Sequence, residues 1–120
     1  MDYSVQRAAD YLLVRMTGAP TEQEIRAMLR DLQAQSAGMR GALFELKVAF
    51  GLSLTSTKEL VQSLPGMGFP AGYRLAILLL DDAASRSAEF AEDVAFNRGI
   101  GLRVFRDRAA AENWASGKAS

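Results

Sequence analysis

The run of six apolar residues from Leu75 to Leu80 constrains the fold of this 120-residue chain more than any other feature. Six residues are a usual length for a β-strand and far fewer than the roughly 20 that a membrane-spanning helix needs. An unbroken apolar run is typical of a strand inside a parallel sheet, covered on both faces. The sequence therefore predicts that Arg74–Leu80 is a central strand of an α/β domain.

Strand and helix patterns alternate on either side of this central strand. Four more segments have strand-like patterns: Tyr3–Arg7, Tyr11–Met16, Ala42–Val48 and Leu102–Phe105. Helical patterns begin at Thr21, span Ser56–Leu64 and Ala88–Arg98, and resume after Asp107. The order β-β-α-β-α-β-α-β-α predicts an α/β fold: a mixed, mostly parallel sheet of about five strands with an N-terminal antiparallel hairpin and about four helices.

Helix ends are marked by capping patterns and by glycines. Thr21 and Ser56 each precede a glutamate by three residues, which is the spacing of a capping box. Gly38 and Gly41 are expected to end the first helical unit. The last helix, capped by Asp107, is expected to dock on the sheet through three residues at helical spacing: Ala110, Ala111 and Trp114.

The residue types that many enzymes need are absent from the sequence. It has no cysteine and no histidine, which removes disulfides, thiol chemistry, zinc sites of the usual ligands and His-dependent triads. The 14 basic and 14 acidic residues cancel, so no overall charge favours nucleic acid. We therefore expect a non-enzymatic binding module without metal or cofactor. Because neither a membrane-spanning run nor a secretory signal is found, a cytoplasmic location is expected.

Nearly the whole chain resembles the SpoIIAA-like proteins, small bacterial domains of uncharacterised function. The C-terminal resemblance lies in Asn97-Arg98-Gly99, in Val104-Phe105-Arg106-Asp107, and in Ala111 and Trp114, and the opening resemblance lies in Asp10–Gly18. This family is related to STAS domains, the anti-sigma-factor antagonists, and is similar in shape to the lipid-binding CRAL-TRIO fold. The resemblance implies one SpoIIAA/STAS-like domain over residues 1–120.

Two predicted loops carry apolar side chains and border the Ser56–Leu64 helix. These residues are Phe50, Leu52 and Leu54 in the first loop, and Met67 and Phe69 in the second. Apolar side chains on loops line a pocket, touch a membrane or form an interface. SpoIIAA-like proteins have been suggested to bind nonpolar small molecules or membranes, so the resemblance makes these loops the mouth of a ligand site. The alternative is core packing beneath the loops.

A cluster of hydroxyl residues precedes and opens the same helix. Thr55, Ser56 and Thr57, with Ser53 before them, lie where STAS antagonists carry a phosphorylated serine, so the resemblance implies a kinase-controlled switch. A phosphate there would meet the free N–H groups and the positive dipole of the helix N-terminus. The Asp-Ser-Ser-Gly pattern of those antagonists is missing. Helix capping by Ser56 or Thr55 is the alternative interpretation.

Charged residues provide weaker candidates, each with a structural alternative. Glu45 and Lys47 could contact a polar ligand at the end of their strand, or form a salt bridge. Asp81 and Asp82 could hold a hard cation, or shape a turn. The local basic excess, which could meet an anion or simply be solvated, consists of Arg98, Arg103, Arg106 and Arg108.

Two functional hypotheses of different class follow. The first is a carrier or sensor of a nonpolar small molecule or a membrane surface that uses the apolar loops. The second is a STAS-like regulatory module that binds a protein partner through the helix beginning at Ser56, with or without phosphorylation. A homodimer is compatible with either, since apolar loops and a sheet edge both serve as interfaces.

Overall fold

A computed structural model describes residues 1–118, and the last two residues of the predicted domain lie outside the described range. Within that range five strands form one sheet in the order β1-β2-β3-β4-β5. Their bounds are β1 (Asp2–Arg7), β2 (Tyr11–Gly18), β3 (Gly41–Val48), β4 (Arg74–Leu79) and β5 (Leu102–Phe105). Only the β1–β2 pair of this sheet is antiparallel. The predicted mixed sheet with an N-terminal hairpin is therefore confirmed.

The helices divide unequally between the two faces of the sheet. They are α1 (Glu22–Gln35), α2 (Leu54–Ser63), α3 (Ser85–Asn97) and α4 (Arg108–Ala115), and a short 3-10 helix, Leu64–Met67, extends α2. Because β2 to β5 are neighbours in sequence order, right-handed crossovers place α1, α2 and α3 on the same face. Buried residues of these three helices share the larger core, whereas α4 packs into a separate, smaller core on the other face.

The central strand contributes to both cores, as its apolar run predicts. Leu75 and Ile77 pack in the larger core, and Ala76 and Leu78 pack in the smaller one. The strand ends one residue earlier than predicted, and Leu80 is 45% exposed. Among residues 1–118, no helix is both long enough and apolar enough to cross a membrane.

The capping patterns before α1 and α4 are confirmed. The Thr21 hydroxyl accepts a hydrogen bond from the N–H of Glu24, and the Glu24 carboxylate accepts one from the N–H of Thr21. The Asp107 carboxylate accepts a hydrogen bond from the N–H of Ala110. However, Ala110 is exposed, and α4 docks through Ala111, Trp114 and Ala115 instead.

Helices α2 and α3 begin earlier than the sequence predicts. The residue that caps α2 is Ser53, whose hydroxyl accepts from the N–H of Ser56, so α2 begins at Leu54. The prediction that Ser56 caps this helix is therefore wrong. Helix α3 begins at Ser85 rather than at Ala88.

Candidate functional site

An apolar cavity of about 140 Å³ lies between the sheet and α1, α2 and α3, on the face of the sheet that carries the larger core. Its walls come from α1 (Ile25, Met28, Leu29), from β3 (Phe44, Leu46, Val48), from α2 (Thr57, Leu60, Val61) and from α3 (Ser87, Ala88, Ala91), together with neighbouring residues. Cavities of about 150 Å³ with such walls bind benzene-sized molecules. The space therefore fits a small apolar molecule or a short stretch of an acyl chain.

The two hydroxyl groups on the wall are already engaged with the backbone. The Thr57 hydroxyl donates to the carbonyl oxygen of Ser53 at 2.8 Å, and the Ser87 hydroxyl donates to that of Ala84 at 3.2 Å. Because these donors are satisfied inside their own helical turns, they offer little to a polar occupant. The wall thus selects for apolar molecules.

The loop from β3 to α2 forms part of this cavity. Phe50 and Leu52 both line it, and Phe50 is 51% exposed. Gly51 lies between them, and a Cβ there would overlap the Ser87 hydroxyl, so the loop runs tightly against α3. Leu54 is half-buried in the first turn of α2 and does not line the cavity.

Met67 and Phe69 lie at the opposite end of the parallel strands. The first loop follows the carboxyl end of β3, whereas Met67 and Phe69 precede the amino end of β4, and α2 crosses between them. Both residues pack against the larger core, and Phe69 stacks on Tyr73 with ring centroids 5.1 Å apart. The structure thus brings Phe50 and Leu52 together and separates them from the second loop.

The hydroxyl cluster differs in exposure from one residue to the next. Thr55 is exposed in the first turn of α2, Ser56 is half-buried, and Thr57 is 5% exposed. The Arg26 guanidinium, followed by the Ser56 hydroxyl, holds the pKa of Glu22 below its ordinary value. Of these three residues Thr55 is therefore the one that an external protein reaches most easily, and Ser53, which caps the helix, is also exposed.

The charged candidates are engaged in ion pairs or turns. Glu45 is paired with Arg108 at 2.7 Å and with Arg15 at 3.7 Å, and it ties the start of α4 to the sheet. Arg106 is paired with Asp82 at 2.7 Å.

The remaining members of the two predicted charged pairs, Asp81 and Lys47, have a structural role and an exposed position respectively. The Asp81 carboxylate accepts from the N–H of Ala83 in the turn after β4, and Lys47 is exposed. In the described part of the chain, no three residues of the types His, Cys, Asp or Glu are grouped as metal ligands.

Comparison with known proteins gives matches among solved structures. No protein-family model and no curated protein matches the sequence. One structural match is an uncharacterised DUF3478-family protein with a SpoIIAA-like fold from Shewanella loihica, at 22% identity and a TM-score of 0.57, covering 95% of this chain and 92% of that one. Another is the anti-sigma factor antagonist SpoIIAA in its unphosphorylated form, at 13% identity and a TM-score of 0.56, covering 99% of this chain and 100% of that one. The chain therefore has a SpoIIAA-like fold, as the resemblance in its sequence implied.

Proposed function

Because the chain has a SpoIIAA-like fold, we propose that it is a non-enzymatic regulatory module that acts by binding a protein partner. The observation that carries this proposal is the match to an anti-sigma factor antagonist over 99% of this chain and all of that protein. A shared fold supports a function only when the chain also offers a suitable site. The partner class that follows from the match is a regulatory protein such as an anti-sigma factor.

The surface that we assign to this partner lies at the N-terminus of α2. We define the α2 N-terminal surface by the exposed residues Phe50, Ser53, Thr55 and Lys58. An exposed aromatic side chain surrounded by small polar residues is typical of an interface hot spot with a polar rim. Phe50, in the loop that leads into α2, therefore supplies the apolar anchor, and the exposed hydroxyl groups of Ser53 and Thr55 supply hydrogen bonds.

Replacing Phe50 with aspartate is expected to weaken partner binding by about 30-fold or more, because a hot-spot residue contributes about 2 kcal/mol or more. The partner is first captured from extracts of the native host with the wild-type protein. Its dissociation constant is then measured with purified proteins. Phe96→Asp is the matched control, since Phe96 is 84% exposed on α3, away from this surface.

The two aspartate variants separate the possible results. Loss of binding in Phe50→Asp with retention in Phe96→Asp supports the proposal. Equal binding by the wild type and Phe50→Asp contradicts the assignment of the surface. Far-UV circular dichroism of both variants verifies that each is folded.

Phosphorylation would act on this same surface, and Thr55 is the residue that we assign to it. A phosphate on Thr55 would lie in the first turn of α2, beside its N–H groups, and would add negative charge to the α2 N-terminal surface. Intact-mass analysis of the protein from its native host is expected to show one added phosphate, which is lost in Thr55→Ala. If the mass shows no added phosphate, the phosphorylation switch is contradicted. The proposal that remains is a module that binds its partner without modification.

The apolar cavity favours a second candidate function, a carrier or sensor of a nonpolar small molecule. Native mass spectrometry with solvent extraction is expected to detect a retained apolar molecule. Ala88→Val narrows the cavity from α3, so this variant is expected to lose most of the bound molecule while remaining folded. Equal retention by both proteins, or an empty wild-type protein, counts against this candidate. The same spectra distinguish monomer from homodimer.

A further inference from the structure

The two edge strands of the sheet, β1 and β5, differ in whether their outer backbone groups are occupied. An edge strand carries N–H and C=O groups that no neighbouring strand pairs, and such a row is a template for another chain. On β5, the outer N–H of Val104 donates to the Glu92 carboxylate at 2.6 Å. The outer N–H of Leu102 donates to the carbonyl oxygen of Ile100 at 3.0 Å. The N–H groups of this edge are therefore satisfied by the chain itself.

The hairpin turn shows which backbone groups of β1 face β2. The N–H of Ala8 donates to the carbonyl oxygen of Tyr11 at 2.9 Å, so these two residues form a hydrogen-bonded pair. Hydrogen-bonded and non-hydrogen-bonded pairs alternate along an antiparallel ladder, and the β1–β2 register runs without a bulge. The residues of β1 that bond to β2 are therefore Gln6, Ser4 and Asp2.

The outer edge of β1 is open. Tyr3, Val5 and Arg7 direct their backbone N–H and C=O groups away from β2, and no loop or side chain within residues 1–118 hydrogen-bonds to these outer N–H groups. The strand is six residues long, contains no proline, and exposes every residue except the half-buried Val5. It therefore lacks the short length, the bulge or the proline that commonly keeps an edge from pairing.

We propose that β1 pairs antiparallel with β1 of a second copy of this chain, so that the two sheets join into one. A twofold axis passes between the two copies of Val5, and Tyr3 lies opposite Arg7 of the second copy on each side of the axis. In this register all three outer residues exchange hydrogen bonds with the second copy. The interface is independent of the protein partner proposed above, because it uses none of the residues of the α2 N-terminal surface.

The register follows from the residues of β1. Centring the pair on Tyr3 or Ser4 would place Arg7 beyond the start of the opposite strand, and centring it on Gln6 would place Tyr3 beyond its end. Centring it on Arg7 would set two like charges directly opposite each other, which is unfavourable. Val5 is therefore the centre that pairs the whole outer edge.

The facing side chains in this register are complementary. Tyr3 and Arg7 of the second copy lie on the same face of the joined sheet, because residues directly opposite each other share a face. The Tyr3 ring is exposed, and its hydroxyl donates to the Asp31 carboxylate at 3.0 Å. A guanidinium beside this ring gains a cation–π contact and lies near the negative charge of the carboxylate. The edge is thus complementary to itself, which favours a second copy over an unrelated strand.

Introduced cysteines test the register directly, because the chain has no cysteine of its own. In the proposed dimer Ser4 lies opposite Gln6 of the second copy in a non-hydrogen-bonded pair, whose Cα atoms are about 4.5 Å apart and within the range of a disulfide. The double variant Ser4→Cys/Gln6→Cys is expected to form a covalent dimer on air oxidation, detected by non-reducing mass spectrometry. The single variants are the matched controls and are expected to crosslink much less. No crosslinking in the double variant, or equal crosslinking in a single one, contradicts the register.

Sedimentation equilibrium of the full chain measures the dimer itself. Val5→Pro removes an outer N–H without removing a β1–β2 hydrogen bond, and it is expected to weaken the dimer about 30-fold because two hydrogen bonds are lost at the axis. Arg7→Glu, which places an acidic group opposite Tyr3, is expected to weaken it about tenfold. Arg86→Glu makes the same charge change at an exposed position on α3 and is expected to have no effect.

Far-UV circular dichroism verifies that each of these variants is folded. A wild-type protein that stays monomeric up to about 1 mM overturns the proposal and leaves the β1 edge to a strand of another protein. A dimer that Val5→Pro and Arg7→Glu leave as strong as the wild type also overturns it, because the two copies would then meet at a different surface.

Discussion

Replacing Trp114 with alanine is expected to lower the free energy of unfolding by about 3–5 kcal/mol, the usual cost of removing a large aromatic side chain from a core. Trp114 is 6% exposed and lies in the smaller core, with its ring 5.8 Å from that of Phe105. Because α4 is the helix that covers this face of the sheet, the side chain anchors the whole layer. Domains are typically stable by about 5–15 kcal/mol, so the variant approaches the limit of folding.

Urea denaturation followed by far-UV circular dichroism measures this effect without relying on tryptophan fluorescence. Trp114→Phe keeps an aromatic ring in the core and is expected to cost distinctly less than the alanine variant. Phe96→Ala removes a ring that is 84% exposed and is expected to change the stability by less than about 0.5 kcal/mol. A loss below about 1 kcal/mol in Trp114→Ala would mean that α4 is not held by this residue.

The strands and the docking of α4 were predictable because their patterns report burial directly. The apolar run at Leu75–Leu80 marks the central strand, and its first four residues alternate between the two cores. The error at Ala110 has a simple physical origin. Alanine is small enough to be tolerated in either environment, so a helical pattern of alanines leaves the rotation of the helix uncertain, and α4 buries Ala115 instead.

The candidate site was predictable only where it depends on neighbours in the chain. Phe50 and Leu52 line one cavity because they follow the same strand. Met67 and Phe69 border the same helix in the sequence, but a crossover helix joins opposite ends of parallel strands, so the two loops lie at opposite ends of α2. Closeness to α2 in the sequence therefore does not predict closeness in space.

A second cavity, of about 510 Å³, opens where strands β4 and β5 begin, and no pattern in the sequence predicts it. Tyr73 lies on its wall, and the burial of the Tyr73 hydroxyl without a hydrogen-bond partner among residues 1–118 depends on what packs around it in three dimensions. The available hint was the glycine-rich character of two distant turns, which contain Gly72 and Gly99. Glycine-rich turns let the backbone pass close to a cavity, but only the order of the strands in the sheet shows that these two turns border the same cavity.

Replacing Gly41 with alanine is expected to lower the free energy of unfolding by about 3 kcal/mol, at the upper end of the usual cost of overpacking. The sequence places Gly41 at the end of a helical unit, whereas the structure makes it the first residue of β3. A Cβ there would overlap the carbonyl oxygen of Arg74 and lie 2.8 Å from that of Ala115. Both are backbone atoms, so no flexible side chain can move aside.

The matched control for this variant is Gly66→Ala. A Cβ on Gly66 meets no described atom within 4 Å, so this substitution is expected to be neutral or stabilising by less than about 1 kcal/mol. The two variants add the same methyl group, and only the first forces β4 and the end of α4 away from β3. Urea denaturation of both proteins measures the difference. Equal stability would mean that the β3–β4 pairing and α4 shift to accept a side chain, and the smaller core would then be more plastic than its close backbone contacts indicate.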